Sequence, residues 1–300
     1  MNKSLIEEAT KRLQQLEQAG VKTNAAEPEA PAVELNGRAT QPRARPAPAA
    51  PAEDRVPAAN VRVIDLARLG AAGFITPNVP ESKLLHEFRV IKRPLIQNAL
   101  GKGAAPVANG NLVMVTSAMP GEGKSFVTVN LAMSIAMEVD CRVLLVDADV
   151  VKPSIPKVLG IRPAKGLMDM LTTPNPNLAE VLLKTNVPRL DVLLAGTQHR
   201  SASEHLASAA MTELLQGMSA RYPDRIILFD SPPLLATTES RVLATHMGQV
   251  VVVVEAEKTT HNVLESALAT IENCPVVMTM LNKTPQSESG SYYGYYGYGR

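Results

Sequence analysis

An apolar run, Leu112 to Thr116, passes directly into Ser117-Ala118-Met119-Pro120-Gly121-Glu122-Gly123-Lys124-Ser125, and a helical pattern opens at Lys124 and continues to about Met137. A buried strand, a glycine-bearing turn and a helix N-terminus in that order leave few folds open. The free N–H groups of a helix start, together with a loop lacking Cβ atoms at Gly121 and Gly123, form a cradle for phosphate oxygens. In that context Lys124 reaches the β and γ phosphates of a nucleotide, and the Ser125 hydroxyl is offered to Mg²⁺. The pattern G-x-x-x-x-G-K-[ST] is met except at its first position, where Ala118 stands. A small residue preserves that turn in part.

Two more apolar runs end in carboxylates. Val143-Leu144-Leu145-Val146-Asp147-Ala148-Asp149 places two acids two residues apart, on the same side of a strand end, and Ile226-Ile227-Leu228-Phe229-Asp230 supplies a third. A phosphate-bound Mg²⁺ needs hard oxygen ligands, and strand-end aspartates at the carboxyl edge of an α/β sheet supply them. A single aspartate there could equally cap a helix or close a turn. Further runs at Leu190–Leu194, Val250–Val254 and Val276–Leu281 alternate with helical patterns near Met168 and from Ser203 to about Leu215. Such alternation predicts a mostly parallel α/β sheet with helices on both faces.

Upstream, apolar residues from Leu84 to Ile96 have helical spacing over Glu81 to Leu100, with Pro94 marking a kink or a break. Residues 1–20 read as a short amphipathic helix, either a docking element or a frayed terminus. Residues 21–60 are dominated by Ala, Pro, Glu and Arg and read as a disordered linker. A catalytic domain is expected over 61–285, and 286–300 read as a flexible tail. Thirty basic against 29 acidic residues give a net charge of +1, so nothing pulls the chain toward nucleic acid. Cys141 and Cys274 have no metal-ligand spacing. With no apolar run long enough to span a bilayer and no signal-peptide core, the expected location is cytoplasmic, with membrane contact only through a partner.

Taken together, Ser117 to Ser125, Val143 to Pro153 and Ile226 to Pro233 resemble the phosphate loop and the two aspartate motifs of the bacterial tyrosine kinases. These are P-loop NTPases with a deviant phosphate loop, on a superfold shared with the MinD and ParA ATPases. The resemblance extends over roughly residues 80–300. The lead-in Phe88-Arg89-Val90-Ile91-Lys92-Arg93-Pro94 is similar to that of the autokinases accompanying exosortase-linked exopolysaccharide clusters.

The resemblance implies ATP and Mg²⁺ as cofactors. It implies catalytic roles for Lys124, Asp147, Asp149 and Asp230, with Asp147 orienting or deprotonating the tyrosine. Nucleotide contacts are expected at Pro120, Gly121, Glu122, Gly123, Lys124, Ser125 and Phe126, with Asn282 at the adenine, and metal contacts at Ser125, Asp147 and Asp230. It also implies a homo-oligomer, in this family a ring, and a separate membrane-embedded chain-length regulator as activator. A cognate tyrosine phosphatase and a position at the inner membrane through the activator complete the expectation.

This chain departs from the family at three places. His86, Arg89 and Lys92 stand where an acid-x-x-Arg-x-x-Arg pattern serves subunit contact, Glu239 is the nearest acid after Asp230, and Lys152-Pro153 replaces Arg-Pro.

Tyr292, Tyr293, Tyr295, Tyr296 and Tyr298 are five of the six tyrosines in the chain. Beside a kinase core they read as phosphoacceptors, and without one as a Gly/Tyr segment for weak self-association. The competing class is a positioning ATPase of the MinD and ParA type without tyrosine kinase activity. Those ATPases carry a second lysine early in the phosphate loop, where this chain has Met119.

Overall fold

The structure, a computed structural model, describes residues 60–78, 80–174 and 176–285. The expectations for residues 1–20 and 286–300 lie outside the described residues, as does that for the linker apart from Asn60. The chain starts with β1 (Val61–Arg62), α1 (Leu66–Ala71) and α2 (Lys83–Ala99). The phosphate loop joins β2 (Leu112–Ser117) to α3 (Lys124–Ala136), and β3 (Arg142–Asp147) follows. Next come α4 (Ile155–Leu159), α5 (Leu167–Thr172), α6 (Leu178–Val181), β4 (Leu183–Thr185) and β5 (Leu190–Leu193). The last third holds α7 (Ala202–Leu206), α8 (Ala209–Arg221), β6 (Arg225–Asp230), α9 (Glu239–Ala244), β7 (Gln249–Glu255), α10 (His261–Leu268) and β8 (Val276–Asn282).

Eight strands form one sheet in the order β1-β4-β5-β3-β6-β2-β7-β8. Every adjacent pair is parallel except β4 with β5. The four inner strands β3, β6, β2 and β7 are apolar at nearly every position because both faces are covered. Alternate residues feed separate cores. Met114, Leu144, Val146, Ile227, Phe229, Val250 and Val252 point to the side carrying α5, α7, α8 and α9. Val113, Val115, Val143, Leu145, Leu228, Val251 and Val253 point to the side of α2 and α3. Each of these side chains contributes roughly 1.5–3 kcal/mol by leaving water.

Two sequence expectations need adjustment. Pro94 does not end α2, which runs unbroken to Ala99. Its ring removes the hydrogen bond to the carbonyl of Val90, a residue 58% exposed, where water can substitute. The single helix expected from Ser203 to about Leu215 is two helices. Ser208 adopts an extended backbone and its hydroxyl accepts from the Met211 N–H, so a capping residue restarts the helix at Ala209. β1 and β4 were not anticipated, being too short to show a pattern. They are tied together by Asn186, whose side chain accepts from the Ile64 N–H at 2.8 Å and donates to the Ile64 carbonyl at 3.1 Å.

Candidate active site

β3, β6 and β2 are neighbours in the sheet, so their carboxyl ends deliver Asp147, Asp230 and the phosphate loop to one place. The loop turns through Gly121 and Gly123 at φ of 91° and 99°, a region that disfavours side chains. It hands over to α3 with Gly123 as the N-cap and no side chain capping the helix. The first intrahelical bond runs from the Val127 N–H to the Gly123 carbonyl, which leaves the N–H groups of Lys124, Ser125 and Phe126 for an anion.

Asp230 is fully buried, and both its oxygens are engaged. Ser125 Oγ donates to Oδ2 at 2.6 Å, Ser154 Oγ donates to the same oxygen at 3.1 Å, and Thr128 Oγ1 donates to Oδ1 at 3.1 Å. Burial pushes the Asp230 carboxyl above the usual carboxylate range, against the pull of Lys124 and the three hydroxyls. The Lys124 ammonium lies 2.9 Å from Asp149 Oδ2 and 3.9 Å from Asp230 Oδ2. Burial opposes its charge, but Asp230 and Asp149 outweigh that and hold its pKa above the ordinary lysine value. Asp149 also accepts the Lys152 N–H at 3.0 Å.

Asp147 is completely buried and accepts one bond, from the Ile155 N–H at 3.1 Å on Oδ2; its Oδ1 has no partner. Burial first, then the charge of Asp230, raises its pKa to about 7. A buried carboxylate oxygen left without a donor beside a cationic side chain and free N–H groups fits a site made to receive a further cation or a proton.

Among the described residues no three His, Cys, Asp or Glu side chains group to hold a metal by themselves. Ser125 Oγ and the Asp230 carboxylate are the hard oxygens that would hold Mg²⁺, with phosphate oxygens and water completing its ligands.

The remaining expected residues divide. Glu122 is 3% exposed; its carboxylate accepts from the Met119 N–H at 2.7 Å and from the Thr259 hydroxyl, so it braces the loop from inside. Phe126 turns its ring to Phe74, with centroids 5.0 Å apart, leaving its N–H as the group that could meet phosphate. Asn282 donates to the Glu122 carbonyl at 2.9 Å and stands over Gly123. Pro120 lies exposed on the loop.

Sequence reasoning missed Thr128, Ser154, Lys283 and Thr259. Thr128 had a signal, since i+4 from Lys124 puts it on the same helix face. Lys283 donates to the Gly121 carbonyl at 2.7 Å and pairs with Glu255 at 3.2 Å, a contact made by tertiary packing alone.

The positions expected to serve subunit contact are not equivalent either. Arg89 pairs on the surface with Glu81 at 2.8 Å, while Lys92 is 4% exposed and bound to the Ser134 carbonyl at 2.6 Å and Glu138 at 2.7 Å. Lys92 is a core residue, closing the C-terminal turn of α3.

A family model described as ParA, the NUBPL iron-transfer P-loop NTPases, matches residues 109–278, more than half of the chain. The chain is 33% identical over 226 residues to the putative tyrosine-protein kinase EpsB of Ralstonia nicotianae, covering 73% of this chain and 29% of EpsB. It is 33% identical over 187 residues to the tyrosine-protein kinase YwqD of Bacillus subtilis, covering 62% of this chain and 77% of YwqD. The chain thus spans less than a third of the Ralstonia relative's length. Its fold is similar to the kinase domain of the Escherichia coli tyrosine kinase ETK, with a TM-score of 0.59 and 24% identity over 75% of this chain and 88% of that domain. With that fold and this phosphate loop, the chain belongs to the ParA-type P-loop NTPases and, among them, to the bacterial tyrosine kinase family.

Proposed function

We propose that this chain is an ATP-dependent protein-tyrosine autokinase that phosphorylates the Tyr292–Tyr298 cluster of neighbouring subunits. The observation that carries the reading is the convergence of Lys124, Ser125 and Asp230 with a nearby buried carboxylate, Asp147, whose pKa is raised to about 7. Bound Mg-ATP supplies the transferable γ-phosphoryl group and draws charge from its leaving oxygen.

Lys124 leaves its carboxylate partners to meet the negative charge of the phosphates. The N–H groups of Lys124, Ser125 and Phe126 hold the phosphate oxygens in fixed orientation. The phenol oxygen forms the new bond to phosphorus as the bond to the ADP oxygen breaks, and the phenol proton passes to Asp147. The Asp147 oxygen that has no donor, Oδ1, is the proton acceptor in this reading. Asp149 positions Lys124 and the turn that follows β3.

The wider setting rests on the sequence resemblance: an oligomer, with a ring as the arrangement, a separate membrane-embedded chain-length regulator as activator, a phosphatase that resets the tail, and control of exopolysaccharide synthesis or export. Among the described residues no helix is long and apolar enough to cross a membrane.

Purified wild-type chain and Lys124→Met are incubated with Mg-ATP, with and without a candidate activator, and the tail peptide is analysed by mass spectrometry. Phosphate on the wild-type tail and none on Lys124→Met is the expected result. ATP hydrolysis with an unmodified tail, activator present, replaces this reading with a switch ATPase.

A further inference from the structure

β8 borders the sheet, and it lacks the features that keep border strands from pairing. It runs seven residues, Val276–Asn282, in unbroken parallel register with β7, and contains no charge, proline or glycine. The opposite border, β1, is two residues long. The Asn282 carbonyl accepts the Ala256 N–H at 2.9 Å, which turns the Asn282 backbone toward β7. Backbone direction alternates along a strand, so Val277, Thr279 and Leu281 aim their N–H and C=O groups outward. Val277 packs with Val263 and Leu264 of α10, but Thr279 is exposed and Leu281 is 58% exposed, so the helix does not overhang the strand. Among the described residues no strand pairs with this side of β8.

Reversed, the strand is complementary to itself. With Thr279 on a two-fold axis, Val277 of each copy faces Leu281 of the other, and the outward groups form about six inter-chain hydrogen bonds. Thr279 then meets Thr279 and Val277 meets Leu281 on one face, while Met278 meets Met280 on the other, all favourable cross-strand pairs. The adjacent registers are worse. A shift one way sets Leu281 against Pro275, which has no N–H. A shift the other way sets Val277 against Lys283, whose φ of 58° has left the strand.

Charge selects the direction. Glu272 and Lys283, both exposed, are the charged residues that flank β8 in the chain. An antiparallel pair brings each Lys283 end beside a Glu272 end, whereas a parallel pair sets like beside like.

We infer that two copies of this chain pair antiparallel through β8, joining their eight-stranded sheets into one. A seven-residue strand pair by itself falls short of the roughly 1,200–2,000 Å² of a standard stable interface, so the dimer is concentration-dependent. The contact is isologous and lies apart from α2, so it adds to a ring rather than building one. Asn282 and Lys283 hold the phosphate loop from the end of this strand, and pairing stiffens the strand that carries them.

The test uses the full chain without nucleotide. Sedimentation equilibrium should show dimerisation with a Kd on the order of 10–100 μM. Thr279→Lys, which sets two cations face to face on the axis, should weaken it at least about fivefold, while fluorescent ADP binds as in wild type. Oxidation reads the register. Facing Thr279 Cα atoms in a hydrogen-bonded pair lie about 5.5 Å apart, within disulfide reach, whereas the two Leu281 residues lie about 14 Å apart. Thr279→Cys should therefore give about tenfold more disulfide-linked dimer than Leu281→Cys, although both positions are exposed. The native Cys141 and Cys274 are buried, so wild type serves as the blank.

A wild-type chain that stays monomeric at about 0.5 mM overturns the inference. So does a Thr279→Lys chain that associates as wild type does, or equal cross-linking of the two cysteine variants, which reports random collision. No arm contains ATP, so their failure leaves the kinase reading standing.

Discussion

Asp147 and Asp230 stand opposite one another in the register of β3 and β6, yet only Asp230 has both carboxylate oxygens bonded. The pairing brings two buried acids together at the strand ends. Burial raises the pKa of both; three hydroxyls and Lys124 oppose that rise at Asp230, whereas at Asp147 the charge of Asp230 adds to it against the Ile155 N–H and Lys124. One sheet register thus joins a carboxylate bonded on both oxygens to one with a bare oxygen.

Because the folded pKa of Asp147, about 7, lies above its unfolded value near 3.8, protonated Asp147 favours the folded state. That contribution is complete below the unfolded pKa and is lost as pH rises through about 7. The nucleotide-free chain should lose about 2–3 kcal/mol between pH 5 and 8 from this group. Asp147→Asn should flatten the profile and be the more stable protein at pH 8. Urea titrations at the two pH values decide it, and an unchanged slope in the variant removes Asp147 as the cause.

A Cβ built on Gly123 would collide with Asn282 Nδ2, whereas one built on Gly121 meets nothing within 4 Å. Both residues have positive φ. Gly121→Ala should cost about 1 kcal/mol from backbone strain. Gly123→Ala should cost about 2–3 kcal/mol and weaken ATP binding more than tenfold, since backbone strain adds to the loss of the Asn282 bond to the Glu122 carbonyl. Thermal melts and a titration with a fluorescent ATP analogue separate the two; equal behaviour would mean that Asn282 does not constrain the loop.

Lys92 and Arg89 occupy neighbouring turns of α2 but different environments. Lys92→Met should destabilise by about 1–3 kcal/mol by stripping a donor from the buried end of α3. Arg89→Ala, which breaks an ion pair 39% and 73% exposed, should change stability by no more than about 0.5 kcal/mol. If the chain forms rings, sedimentation should show any assembly defect in Arg89→Ala without loss of fold. A Lys92→Met chain as stable as wild type contradicts the assignment of that lysine to the core.

Tyr222 is 3% exposed and packs beneath Arg225, whose guanidinium carbon is 4.2 Å from the ring centroid and whose charge pairs with Asp191 at 2.9 Å. It is not presented to any active site. Tyr222→Phe should leave the phosphotyrosine signal within about 20% of wild type, and phenylalanine at all five tail positions should abolish it. Phosphate mapped to Tyr222 in the folded protein would contradict this.

The four inner strands and the phosphate turn were legible because each announces itself locally. Apolar runs such as Ile226–Phe229 have only one place in a sheet covered on both faces, and Gly121-Glu122-Gly123-Lys124-Ser125 combines backbone freedom with a cation and a hydroxyl within one turn. Strand-end position likewise pointed to Asp147, Asp149 and Asp230. The sequence alone therefore determined the fold class and pointed to the acidic and basic residues that converge beside the phosphate loop.

Tertiary structure decided how those groups differ. Asp147 and Asp230 end strands of the same kind, and nothing in either motif says that Thr128 and Ser154 satisfy one and leave an oxygen of the other bare. Lys92 and Arg89 look alike in a helical repeat, yet the packing of α2 on α3 buries one and exposes the other. The contacts of Asn282 and Lys283 with the phosphate loop span about 160 residues. Such pairings depend on strand order and side-chain packing, which bring together groups whose separation along the chain carries no periodic signal.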